Sequence, residues 1–148
     1  MKRGLVYGVV AGAIFFACVY LFSSLALQRD SSMRTVRVGG KVVRVTVAQT
    51  PEERQKGLGD REGLAPDEGM LFIFPTDGKY GFWMKDMLFS IDIVWLSADG
   101  RIVYVAPHIS PETYPRGFVP TSPARYVLEL PAGYMALYGV AVGDMVEL

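Results

Sequence analysis

The sequence predicts an α+β fold: a small, mostly antiparallel, β-barrel-like domain with two short helices, preceded by one N-terminal transmembrane or signal helix. Three observations carry this. After residue 34 the chain breaks into seven or eight short β-branched or aromatic runs separated by Gly, Pro and Asp turns. Only two stretches in that region carry helix start or stop signals, and both are brief. Before it lies a run of 23 residues, Leu5 to Leu27, without a single charge.

A spanning helix needs about 20 apolar residues, so the N-terminal run is long enough to cross a bilayer. It reads as an uncleaved anchor or, alternatively, as a signal peptide with a long apolar core and a small-x-small cleavage site at Ser24-Leu25-Ala26. A buried helix of a soluble domain is the weaker reading, since it would show polar residues on one face and this run shows none. Lys2 and Arg3 precede it, which by the positive-inside rule leaves the N-terminus in the cytoplasm and residues 28–148 on the outer side. The expected organisation is an anchor or signal over 1–27, a linker over 28–34 and an extracytoplasmic β-rich domain over 35–148. Cys18 is the only cysteine and lies inside the apolar run. The exported part therefore has no disulfide, thiol nucleophile or cysteine metal site.

Lys2 and Arg3 account for two of the 15 Lys and Arg, so residues 28–148 carry 13 against 15 Asp and Glu, a formal charge of −2. The signs are interspersed, and no basic stripe points to nucleic acid.

The domain opens with "TVRVGGKVVRVTVA", two β-branched runs joined by Gly39-Gly40, a hairpin signal. Val43, Val45 and Val47 share one face of the second run, the pattern of a half-buried strand. In "TPEERQKGL", Thr50 is a cap, Pro51 takes the first helical position, Glu53 completes a capping box and Gly57 ends the helix. "MLFIF" (70–74), "GFWM" and "SIDIVWL" read as strands. Asp99-Gly100 then turns the chain into "RIVYVA", which sets Trp95 opposite Tyr104. Residues 107–126 hold five of the nine prolines and read as a long irregular loop. "YVLEL" returns to strand, "PAGYMALYG" is a short helix ended by Gly139, and "GDMVEL" is a last strand.

Four blocks, "GLGDREGLAPDEGMLFIF", "FWMKDMLFSIDIVWLSADGRIVYV", "YVLELPAG" and "GVAVGD", together resemble the family called domain of unknown function 192. The resemblance runs from about Val36 to Leu148. It implies a small β-rich domain, often exported or membrane-anchored, and the family's name carries no activity. This chain has Asp86-Met87 where the family usually shows Asn-Thr, and Ser90 where it usually shows Pro.

The stretch 80–96, "YGFWMKDMLFSIDIVWL", is almost wholly apolar yet holds Lys85, Asp86 and Asp92. Both faces of the strand around Asp92 are apolar, and a carboxylate there needs a partner. If 82–85 pairs with 90–95 through a turn at 86–89, Lys85 reaches Asp92; Arg61 and Arg125 are the alternatives. Such a pair is either structural or the polar floor of a pocket walled by Trp83. Glu129 reads either as solvent-facing alternation or as a pocket carboxylate. His108, the only histidine, opens the Pro-rich loop. On a straight hairpin position 92 falls opposite 107, so Asp92 and His108 would point to opposite faces, unless Pro107 bends the strand.

These readings lead to a membrane-tethered extracytoplasmic binding module. Its candidate ligand-binding residues are Trp83, Lys85, Asp92, Arg61, Glu129 and His108, with the 107–125 loop as rim. The partner is a small molecule, an envelope polymer or a protein. No catalytic residue, metal ligand or cofactor is assigned. One alternative is a small hydrolase-like enzyme using Asp92 with Glu129 or with Lys85. Another is a copper-binding envelope protein, suggested by Met70, Met84, Met87, Met135 and Met145, although methionine is common core filler.

Overall fold

A computed structural model describes residues 33–148. The predicted helix and cleavage site within 1–27 lie outside the described residues. Met33 and Arg34, assigned from sequence to the linker, already belong to the first strand. No helix among the described residues is long and apolar enough to cross a membrane.

The strands are β1 (Met33–Val38), β2 (Lys41–Ala48), β3 (Glu68–Gly78), β4 (Phe82–Trp83), β5 (Ile91–Leu96), β6 (Ile102–Ile109), β7 (Gly117–Phe118) and β8 (Ala124–Pro131). Among the described residues the α-helices are α1 (Pro51–Lys56) and α2 (Tyr134–Leu137). Six strands form one sheet in the order β1-β2-β3-β8-β5-β6, and β4 and β7 make a separate two-stranded ribbon. The sheet is mixed: β2 and β3 run parallel, with α1 in the crossover, while β3–β8, β8–β5 and β5–β6 are antiparallel.

The β-barrel-like expectation is corrected here. The edge strands β1 and β6 do not pair, and the sheet stays open. The C-terminal segment lies against both ends instead: Arg37 and Glu147 exchange backbone hydrogen bonds, and Val146 N–H donates to the Gly100 carbonyl. "GDMVEL" makes only isolated bridges to Arg37 and Arg101, so the expected last strand is not formed.

Local chemistry explains most elements. Gly39 and Gly40 both have positive φ, as a tight two-residue hairpin turn requires. In α1 the Thr50 side chain accepts from Glu53 N–H, and the Glu53 carboxylate accepts from Thr50 N–H. Trp95 lies opposite Tyr104, their rings 5.4 Å apart. The hairpin reaches that register by a longer turn and a shift between Trp95 and Leu96, not by the two-residue loop predicted.

Strand alternation splits the core in two. Leu71, Val94, Leu96, Leu128 and Leu130 face one side, covered by Tyr134 and Met135 of α2 and by Val146. Phe72, Ile93, Trp95 and Val127 face the other, covered by Leu58, Met84, Met87 and Phe118. β5 and β8 are thus buried on both faces, so every side chain on them is committed to a core or a cavity.

Candidate functional site

Asp92 is fully buried on the α2 side. No cation pairs with it among the described residues. Its Oδ1 accepts from His108 N–H (2.8 Å) and Gly133 N–H (3.0 Å), and its Oδ2 accepts from Met135 N–H (2.9 Å). Gly133 is the N-cap of α2 and has no side chain to cap with. The Asp92 carboxylate supplies that cap from β5, meeting N–H groups that a helix start leaves unsatisfied.

The bond to His108 depends on a bulge. Ile91 pairs with Ile109 and Ile93 with Ala106, so β6 carries one extra residue opposite Asp92. His108 takes φ 55° there. This turns its backbone N–H toward Asp92, while its side chain remains exposed. The straight-hairpin expectation is corrected by this bulge.

The Lys85–Asp92 pairing is also corrected. β4 pairs with β7, not with β5, and Lys85 sits after β4 in a turn whose Met87 N–H donates to the Met84 carbonyl. Asp86 takes φ 57° in that turn. Lys85 is exposed, and Arg125 pairs with Asp77 at 2.6 Å.

Glu129 lies on the other side of the sheet. Asp92 pairs with Leu130 and Ile93 with Glu129, and adjacent positions on a strand face opposite ways. Asp92 and Glu129 are therefore on opposite faces and do not form a dyad. Glu129 is 5% exposed and not the solvent-facing residue that alternation also allowed. Its Oε2 has no hydrogen-bond partner among the described residues. Burial pushes its pKa up to about 8, against a smaller opposing pull from the Arg61 guanidinium. At neutral pH it is mainly a neutral acid, able to donate one hydrogen bond and accept others.

Glu129 forms part of the lining of a cavity of about 330 Å³. Phe72, Phe74, Tyr80, Phe82 and Trp83 give it aromatic walls, and the end of α1 with residues 57–59 forms another side. Phe72 and Phe82 meet edge to face at 4.8 Å, and Phe74 and Tyr80 stack at 3.6 Å. Gly69 lets β3 pass close to Glu129: a Cβ there would stand 2.7 Å from the Glu129 carbonyl oxygen. Arg54, Lys56 and Lys85 place cations in the lining. Arg54 donates to the carbonyls of Gln49 and Ile73 and lies over the Phe74 ring, and Lys56 pairs with Asp60.

Of the six residues nominated from sequence, Trp83, Lys85 and Glu129 line this cavity. Arg61 is close enough to act on Glu129 electrostatically but is not in the lining, and neither are Asp92 and His108. The 107–125 segment is not the rim. It reaches Trp83 through the Tyr114 ring, 5.8 Å away, and through the β4–β7 pairing. The wall from 54–59 was missed. Its signal lay in "KGLGD", whose glycines let the chain run tightly past the 84–87 turn: Asp60 N–H donates to the Asp86 carbonyl. Met70, Met84 and Met87 pack in the same apolar cluster, and Met135 packs in the other.

Fold and cavity together define a small mixed-sheet domain with a buried acid beneath an aromatic pocket. The chain belongs to the family DUF192, described as "Uncharacterized ACR", whose model matches residues 34–148. A UPF0127 protein of Pyrococcus abyssi is 34% identical over 87 residues, covering 55% of this chain and 68% of that protein. A crystal structure of a protein of unknown function from Novosphingobium aromaticivorans superposes with a TM-score of 0.75 at 31% identity, covering 78% of this chain and 85% of that one. A second, from Sinorhizobium meliloti and only provisionally described as a transcription regulator, gives 0.70 at 32% identity, covering 78% and 90%.

Proposed function

We propose that this protein is a membrane-tethered extracytoplasmic binding module, and that the cavity at Glu129 takes a small organic molecule. The observation that carries the reading is a carboxyl buried to 5% exposure with an unpartnered oxygen, set among aromatic walls. Leaving such a group unsatisfied costs about 1–3 kcal/mol. A ligand that bonds to it recovers that cost. Mostly apolar pockets with a few converging polar groups are the usual form of small-molecule sites, and about 330 Å³ is at the small end of their range. The charge-free run from Leu5 to Leu27 supports the tether, and Lys2 and Arg3 before it support the outward orientation.

The test is a fragment screen on the full chain in detergent micelles, read by amide chemical shifts. Binding should move residues 57–59, 82–85 and 129 together. Fragments that bind only elsewhere, or none at all, would remove this reading.

A further inference from the structure

We infer that the ligand is a small flat organic anion: an aromatic ring with a carboxylate at one end, held by Lys85, and a hydrogen-bond acceptor at the other, held by the Glu129 carboxyl. This rests on reading the cavity as a binding site.

The cations of the lining differ in what they have left to offer a ligand. Arg54 is engaged with two carbonyls and a ring, and Lys56 with Asp60. Lys85 has no hydrogen bond or ion pair among the described residues, so it is the cation left for a ligand. One free ammonium matches one anionic group. Gln55 and Lys56 are shared with a second depression that also contains Lys85, together with the carboxylates of Glu52 and Asp86.

The buried end asks for the opposite chemistry. A protonated carboxyl among phenyl rings favours a neutral acceptor, such as a carbonyl oxygen or a pyridine-type nitrogen, over a second acid. A ligand ammonium there would face Arg61 as well as the three cations of the lining. The rest of the lining includes the aromatic side chains of Phe72, Phe74, Tyr80, Phe82 and Trp83. Aromatic rings pack on one another in offset or edge-to-face geometry, as Phe72 and Phe82 already do. A one-ring molecule suits the available volume.

The test titrates three probes into the full chain in neutral detergent micelles, following amide shifts near 57–59 and 82–85. Isonicotinate has ring, acceptor and carboxylate. Benzoate lacks the acceptor, and isonicotinamide lacks the charge. Isonicotinate should bind about fivefold or more tightly than either control. Lys85→Met should reduce it to the isonicotinamide level. Glu129→Leu should reduce it to the benzoate level, and Glu129→Gln, which keeps a donor, should retain most of the affinity.

Raising the pH from about 7 to about 9 should weaken binding to the wild type and leave Glu129→Gln unchanged. The titratable and charged groups facing Glu129 are Arg61 and, around the cavity, Arg54, Lys56, Lys85 and Tyr80. The glutamine variant separates the titration of Glu129 from theirs. Three equal affinities, or Lys85→Met without effect, would overturn the ligand class. If fragments fill the cavity while isonicotinate does not, the class fails and the binding reading stands. If nothing enters the cavity, both fail.

Discussion

Glu129 combines burial with an unsatisfied oxygen, and two consequences follow at the scale of that one side chain. The first is the capacity of a neutral carboxyl to donate one hydrogen bond and accept others. The second is a pH-dependent stability. Its folded pKa of about 8 is raised from an ordinary value of 4.5. Below about pH 4.5 both states hold the proton and the contribution is constant. As pH rises toward 8 the unfolded chain releases its proton while the folded chain keeps it, so stability falls. Above about pH 8 the loss levels off, at on the order of 5 kcal/mol. Glu129→Gln cannot titrate, and its stability should lose this slope. Urea unfolding of both proteins at about pH 5, 7 and 9 checks it. Parallel curves for the two would contradict the assignment.

Asp92 belongs to the scale of elements, because one carboxylate joins β5, the bulge of β6 and the start of α2. Asp92→Asn keeps the shape but presents an NH₂ where an oxygen accepted. A donor then faces a backbone donor, and charge-assisted bonds become neutral ones. The change should cost about 3 kcal/mol, with amide exchange accelerating first at His108 and Met135. An unchanged unfolding midpoint would show that these bonds carry no net stability.

The same scale explains what the sequence disclosed. The capping box of α1 and the Gly39-Gly40 turn were legible, since each is set by residues close together in the chain; the Trp95–Tyr104 pairing is present but arises from a longer turn and a register shift, not from the two-residue loop expected. The partners of Asp92 were not legible. They are three backbone N–H groups, one of them reached only through a bulge, and none leaves a mark in side-chain patterning. Glu129 was half legible. Alternation in "YVLEL" separates Glu129 from Leu128 and Leu130 but reads the same whether that face meets water or a cavity. Only the central place of β8, between β3 and β5, decides it. β4 also misled: "GFWM" looks like a neighbour of "SIDIVWL", but the chain turns at Lys85-Asp86 and β4 takes β7 from the Pro-rich segment.

At the scale of the whole domain, an open mixed sheet buries both faces of its central strands, one under α2 and the C-terminal segment and one under loops and the β4–β7 ribbon. The two buried carboxyls sit on opposite faces and do different work. On the helix side every Asp92 oxygen is used by the fold. On the loop side the covering is incomplete, and the gap is the cavity lined by Glu129. In the proposed reading Glu129 stands there as a neutral acid with an oxygen open to a ligand. Carbon-13 NMR of the Glu129 carboxyl, assigned by its absence in Glu129→Gln, tests it most directly. A titration midpoint near 8 is the predicted result. A midpoint at the ordinary value of 4.5 would contradict it.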